Sequence, residues 1–202
     1  MLALAKSSST IRLSSILTGL MLLLLSHVSV AQMTLDEEQS SLSFMSTKNT
    51  NLSEQHTFDR FSGKIDTQGK LLITIDMTSV NTMIPIRNER MQSILFSVSD
   101  YSEATFTASI PKALTKLSSG EHKMASIDGT MTIAGNSAPV SFKVAVTGLS
   151  NGGIAVSTRQ PTVLSASTFK LDEGIAALKE IAGLQSISSA VPLSFSVVFT
   201  GQ

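Results

Sequence analysis

Two stretches decide the fold: Val140-Ser141-Phe142-Lys143-Val144-Ala145-Val146-Thr147 and Val191-Pro192-Leu193-Ser194-Phe195-Ser196-Val197-Val198-Phe199-Thr200. In the first, Val140, Phe142, Val144 and Val146 share one face, with Ser141, Lys143 and Thr147 mostly on the other. In the second, Val191, Leu193, Phe195, Val197 and Phe199 form an apolar stripe opposite Ser194, Ser196 and Thr200. Successive side chains of a strand point to opposite faces, so a period of two marks a strand with one buried face. The same period runs outward from these segments. Leu71, Ile73, Ile75 and Met77 alternate with Leu72, Thr74 and Asp76, and Ala104, Phe106, Ala108 and Ile110 with Thr105, Thr107 and Ser109. Past residue 40 the chain reads as all-β.

Gly69-Lys70, Gly135-Asn136 and Asn151-Gly152-Gly153 break the alternation where reversals are expected. Asn151-Gly152 reads as the strongest turn, because a two-residue hairpin needs positive φ at both central positions. It predicts that the strand ending near Thr147 pairs with the one beginning near Ile154. Two segments carry a helical period instead. Met91, Ile94 and Leu95 follow Arg87-Asn88-Glu89-Arg90, with Pro85 suited to the helix start. Ile175, Leu178, Ile181 and Ala182 form one stripe between Glu173 and Leu184, with a stop at Gly183. Both helices are short and suit covers over the openings of a barrel.

Antiparallel strands with one apolar face must hide that face and their edges, and closing into a barrel does both. Two stacked sheets also fit the pattern. An eight-stranded barrel is just wide enough to be filled by side chains or to hold one small ligand. The alternation leaves that choice open.

The first 31 residues read as a secretory signal. Lys6 and Arg12 precede an apolar run from Ile16 to Leu25, and Ser29-Val30-Ala31 places small residues before a cleavage expected after Ala31. The run is too short for a membrane span, which needs ~20 apolar residues. A periplasmic or secreted location follows as an expectation, with residues 32–202 as one barrel domain and no stable membrane span once the signal is removed. With Lys6 and Arg12 set aside, 13 basic residues face 15 acidic ones in the remaining 171. No basic patch stands out, which argues against a nucleic-acid partner. The chain has no cysteine, so lipid attachment to a thiol is excluded.

Leu42-Ser43-Phe44 precedes Gln55-His56-Thr57-Phe58 and Phe61-Ser62-Gly63. Ser79-Val80-Asn81-Thr82 leads to Arg87-Asn88-Glu89-Arg90-Met91, then Leu95-Phe96 and Tyr101-Ser102-Glu103-Ala104-Thr105-Phe106. Gly129-Thr130-Met131-Thr132-Ile133-Ala134-Gly135 and Pro139-Val140 follow. This order of segments resembles the YceI-like family of exported, lipocalin-like barrels, the first set looking like its opening strands and the last like its later hairpin. The resemblance covers nearly all of residues 34–200. The chain departs from the family pattern at Ile94-Leu95-Phe96-Ser97, where many members carry an acidic and aromatic run. The helical insert before the last strand is a second departure, and it resembles a divergent branch. The resemblance implies an antiparallel lipocalin-like β-barrel with a hydrophobic tunnel for a long isoprenoid or similar lipid chain.

Little in the sequence favours chemistry. Gly148-Leu149-Ser150-Asn151-Gly152 matches the G-x-S-x-G pattern of a nucleophile elbow, which needs a strand-to-helix turn and a downstream histidine. Here a strand follows, and the last histidine, His122, lies upstream. Metal sites use closely spaced ligands, whereas His56 and His122 are far apart, and Glu121 and Asp128 would have to be folded onto His56. No Gly-rich loop opens a helix to cradle phosphate. No catalytic residue, metal or cofactor is expected. If the chain were an enzyme, Lys48, Glu54, His56 and Arg87 would be the residues to check.

The expected function is a carrier for an apolar small-molecule ligand, isoprenoid or fatty-acyl-like; a filled barrel that docks another envelope protein is the alternative. The candidate ligand contacts are Phe44, Phe58, Phe106, Phe142 and Phe195 as tunnel lining, with Phe199 beside them. His56, in the region resembling the family's pocket, and Arg87 and Arg90 are candidates for polar contacts to a head group. An ordinary strand histidine and a solvated helix start are the plainer readings of these three. A long aliphatic chain needs no directed contact, since each buried CH₂ contributes ~0.8 kcal/mol.

Overall fold

The computed structural model describes residues 32–201, so the signal expected at 1–31 lies outside the described residues. The elements in chain order are β1 (Met33–Lys48), β2 (Leu52–Phe58), β3 (Phe61–Ile65), β4 (Lys70–Asp76), β5 (Val80–Asn81), α1 (Pro85–Arg90), β6 (Glu103–Ser109), α2 (Lys112–Thr115), β7 (His122–Ile133), β8 (Asn136–Gly148), β9 (Ile154–Thr158), β10 (Thr162–Ser165), α3 (Asp172–Ile181) and β11 (Ala190–Gly201). Eight strands close a ring in the order β1-β3-β4-β6-β7-β8-β9-β11, and β11 pairs back onto β1. Every pairing is antiparallel. The barrel is closed, and the stacked-sheet alternative is excluded.

Two strands outrun the ring. The second half of β1 pairs with β2, which pairs with β5, and the first half of β11 pairs with β10. These additions lengthen the wall at one end, called the upper end below. There α1 and α3 lie over the opening.

The inward face follows the alternation. Phe142, Val144 and Val146 of β8 are buried, as are Leu193, Val197 and Phe199 of β11. In β1 the parity changes midway: Met33 and Leu35 are buried, and so are Leu42 and Phe44. A bulge between Asp36 and Ser41 explains this, because five steps along β1 match two along β11, from Val198 to Ser196. The three extra residues turn the strand over. Asp36 holds the bulge by accepting from the backbone N–H of Glu38 and Gln39, and the Ser40 hydroxyl accepts from Val198 N–H at 3.0 Å.

The two helical expectations need adjustment. α1 begins with Pro85 in its first turn, but from Met91 to Leu95 the helix widens to π geometry, with Phe96 N–H donating to the Met91 carbonyl. α3 runs from Asp172 to Ile181 and stops as expected. Gly183 has φ +62, its N–H donates to Glu180, and that of Leu184 donates to Lys179, a Schellman closure. Ile175 and Leu178 pack on the core, whereas Ile181 is exposed. α3 rests on the π segment at Gly174, where a β-carbon would come within 2.9 Å of the Ile94 carbonyl oxygen.

The expected hairpin turns are present, but the tightest is not at Asn151-Gly152. β8 and β9 do pair there, with Gly148 opposite Ile154, yet the loop spans Leu149 to Gly153 and only Gly152 has positive φ. The two-residue turn lies between β7 and β8, where Ala134 (φ +45) and Gly135 (φ +73) both take the left-handed conformation. The Asn-Gly pair scores well on propensity, but five loop residues relieve it of the need for a primed turn.

Candidate functional site

The barrel walls enclose a cavity of about 110 Å³. Its lining is apolar throughout and draws on every strand of the ring, from Leu35 and Leu42 of β1 to Leu193, Phe195, Val197 and Phe199 of β11. Leu114 of α2 lines the lower end. Phe106, Phe142 and Phe195 cross the lumen as a chain of edge-to-face rings, with centroids 5.1 and 5.4 Å apart. Gly129 makes room for this arrangement, since a β-carbon there would collide with the Phe106 ring. The volume is below the ~300–1,000 Å³ of pockets that enclose drug-sized ligands. It is of the order of an engineered ~150 Å³ apolar cavity that stays dry and takes up benzene.

Phe106, Phe142 and Phe195, and Phe199 with them, line this cavity. Phe44 and Phe58 do not line this cavity. They lie above it, 5.3 Å apart by ring centroid, with Phe96 beyond Phe58 at 6.1 Å. Phe44 is paired across β1 and β11 with the cavity-lining Leu193, and across β1 and β2 with His56. Phe44 thus stands between a cavity-lining leucine on one neighbouring strand and His56 on the other.

Above the aromatic layer the inward face turns polar. Ser46 and Lys48 continue the inward parity of Phe44 on β1, as Glu54 and His56 share that of Phe58 on β2. The His56 ring is only 3% exposed and lies 5.2 Å from the Phe44 ring. Its Nε2 is 2.8 Å from the Ser46 hydroxyl, and its Nδ1 is buried with no partner. Burial pushes the imidazole below its ordinary pKa; the Arg87 charge adds to this, and Glu54 partly opposes it. The fold favours the neutral imidazole.

Arg87 reaches this face from α1. Its Nη1 donates to Glu54 Oε2 at 2.7 Å and its Nη2 to the Thr82 carbonyl at 2.6 Å, while its Nε is buried without a partner. Lys48 completes the cluster with its ammonium 2.9 Å from the same Glu54 oxygen. The hydrogen bond from Lys48, with Arg87 assisting, outweighs burial and holds the Glu54 carboxyl below its usual range. Thr82 is fixed in turn by Asn88, whose side-chain oxygen accepts from the Thr82 N–H and hydroxyl at 2.9 and 2.6 Å. Arg90 is half-buried on the same helix and forms no ion pair among the described residues. The structure thus brings His56 and Arg87 together and leaves Arg90 outside their cluster.

Sequence reading missed the part played by Ser46, Thr82 and Asn88, which are too common a residue type to stand out. The parity of 46 and 48 against 54 and 56 was the available signal. The G-x-S-x-G stretch is a hairpin loop with Ser150 exposed, and no helix follows it. Among the described residues, no three His, Cys, Asp or Glu side chains gather closely enough to hold a metal ion. No helix of the described residues is long and apolar enough to cross a membrane.

A closed eight-stranded antiparallel barrel, with a wholly apolar cavity and short helices beside it, defines the class as a lipocalin-like barrel. The chain belongs to the YceI-like family: the model of the YceI-like domain matches residues 33–199. It is similar to the solved structure of a polyisoprenoid binding domain from Saccharophagus degradans implicated in plant cell wall breakdown. That domain is 34% identical with a TM-score of 0.81, over 84% of this chain and 98% of that one. BcnA of Burkholderia cenocepacia shares the fold at 23% identity and a TM-score of 0.62, over 81% of this chain and 98% of that one. So does the YceI protein of Campylobacter jejuni, at 22% identity and 0.51, over 71% and 82%. No match is found among the curated proteins.

Proposed function

We propose that this protein is a non-enzymatic carrier for an apolar, chain-like lipid of the isoprenoid class, acting after export in the periplasm or outside the cell. The observation that carries the reading is the closed barrel whose cavity is lined by apolar side chains alone. Such a lining offers no directed contact, and a long hydrocarbon requires none: ~0.8 kcal/mol per buried CH₂ accumulates along the chain. The 34% identical relative is a polyisoprenoid binding domain, which supports the choice of lipid. The export signal read at residues 1–31 supports the location.

A lipid chain longer than the 110 Å³ space requires the edge-to-face rings of Phe106, Phe142 and Phe195 to swing toward the wall. The modest volume also favours a second reading, a filled barrel that docks another envelope protein by its loops. One experiment separates them. The protein is purified from its host, extracted with organic solvent and the extract analysed by mass spectrometry; the stripped protein is then offered a polyprenol. An apolar chain lipid in the extract and uptake of the polyprenol are the expected results. A clean extract and no uptake would sink the carrier reading and leave the docking module. Fractionation of the host tests the location, and a cytoplasmic pool of uncleaved chain would overturn it.

A further inference from the structure

Among the described residues, only two buried side-chain polar atoms lack a hydrogen-bond partner: His56 Nδ1 and Arg87 Nε. Buried polar groups in folded proteins are almost always paired, so an orphan calls for a reason. Two orphans in one cluster, and none elsewhere in the described residues, call for a shared one. Both belong to groups engaged with the inward polar face of β1 and β2: His56 through Ser46, and Arg87 through Glu54, two residues along β2 from His56. That face adjoins the lumen through Phe44, which pairs with His56 on one side and with the cavity-lining Leu193 on the other.

We infer that His56 and Arg87 form a polar subsite that receives a hydrogen-bond-accepting oxygen at the end of the lipid chain, fixing the direction in which the guest lies in the barrel. The inference rests on the carrier reading and adds the chemistry of the guest's head. The Arg87 Nε–H is a donor at any pH of interest. A neutral imidazole carries its proton on one nitrogen only. The Ser46 hydroxyl can turn to donate to Nε2, and this tautomer places the proton on Nδ1. Both free positions then donate, and an oxygen with two lone pairs matches them. A carbonyl oxygen and a phosphate oxygen share this chemistry. A hydrocarbon end does not, and would leave both nitrogens unpaired.

The aromatic layer suits the arrangement. Phe44 and Phe58 stand between the polar face and the apolar lumen, so the last carbons before the head would lie against their rings. Lys48 and Arg87 share Glu54, which leaves one positive charge in excess near the subsite and tolerates an anionic head as well as a neutral one.

The test loads the whole protein from detergent micelles with three probes: an isoprenoid quinone, a polyprenyl phosphate and squalene, which carries no oxygen. Bound lipid is measured by extraction and mass spectrometry. Wild type is expected to hold at least one oxygen-bearing probe about tenfold more tightly than squalene, the ratio that ~1.4 kcal/mol of polar contact produces. H56F keeps an aromatic ring and removes the nitrogens. R87K keeps the charge toward Glu54 and removes Nε. Each is expected to lose the tenfold preference while squalene uptake is unchanged. Salt separates the sources, because phosphate binding would weaken with ionic strength and quinone binding would not. ¹⁵N spectra of the His56 ring give a second readout: an oxygen-bearing guest fixes the Nδ1–H tautomer and squalene does not. Equal retention of all three probes by wild type, or equal loss of all three in the variants, overturns the subsite but not the carrier. Uptake of none by wild type overturns both.

Discussion

The lumen and the upper end of this barrel meet along β1 and are built under opposite rules. In the lumen every lining side chain is apolar, and the space is bounded by rings and branched aliphatics from all eight strands of the ring. At the upper end β1 and β2 keep the same inward parity but present Ser46, Lys48, Glu54 and His56, with Arg87 brought over from α1. The lumen attracts without regard to direction, because hydrophobic burial depends on area alone. The upper end is directional, since an unpaired donor gains only from an acceptor placed correctly. A molecule combining the two can distinguish one end of a guest from the other.

The largest effect should come from the lumen. Phe142 is 4% exposed and touches two other rings, so Phe142→Ala is expected to cost about 3–5 kcal/mol in denaturant unfolding, at an unchanged m-value. Phe195→Ala should cost less, because that ring is only half-buried and ends the chain of rings. A loss below about 1 kcal/mol for Phe142→Ala would mean that the rings are loosely held, and the contrast between a packed lumen and a functional upper end would fail.

At the upper end, Arg87→Met should destabilise the fold by about 1–2 kcal/mol, since it strands the Thr82 carbonyl and leaves Glu54 to Lys48 alone. The effect is smaller than in the lumen because Glu54 and Lys48 reach water. Thermal and denaturant unfolding of the variant check it, and an unchanged midpoint would assign Arg87 no structural part.

A third expectation concerns pH. Lys48, Glu54 and Arg87 are the charged groups acting on His56, and burial with the Arg87 charge outweighs the pull of Glu54. The folded chain therefore binds this proton less readily than the unfolded chain, whose imidazole titrates near ~6.5. Stability is full above that value and falls as pH drops through it, with a limiting slope of about 1.4 kcal/mol per pH unit. His56→Phe should flatten the profile between neutral pH and the onset of carboxylate titration. Equal slopes in the two proteins would show that His56 is not the group responsible.

The lumen was legible in the sequence as a pattern, whereas Lys48, Glu54, His56 and Arg87 of the upper end could be named from it but not arranged, for a physical reason. A period of two is imposed wherever one face is buried, so Val140 to Val146 and Val191 to Phe199 announced themselves. Phe106, Phe142 and Phe195 followed from the same rule. β1 escaped because the bulge between Asp36 and Ser41 reverses its parity, which scrambles the alternation on either side. Phe44 and Phe58 were inward as expected, but alternation cannot tell how far along the barrel a residue lies, so the aromatic layer and the cavity read alike. The polar cluster depends on a tertiary contact between β2 and a helix about thirty residues on, and no local pattern encodes it. Likewise, a helical stripe does not foretell the π widening after Arg90, the segment against which α3 packs at Ile94 and Leu95.

The smallest expected effect draws the sharpest line. Arg87 and Arg90 are equivalent in the sequence, two cations at the start of one amphipathic helix. Three residues advance a helix by about 300°, so the two side chains leave its axis roughly 60° apart. That rotation is enough to separate them. Arg87 falls over Glu54 and Thr82, while Arg90 meets no carboxylate among the described residues. Arg90→Ala should therefore stay within about 0.5 kcal/mol of wild type and leave the preference for oxygen-bearing lipids intact. Lipid loading and denaturant unfolding of this variant beside R87K provide the check. If Arg90→Ala abolished the preference and R87K did not, the head group would be recognised from the outer side of α1, and the inward polar face of β2 would have to be read as structural support alone.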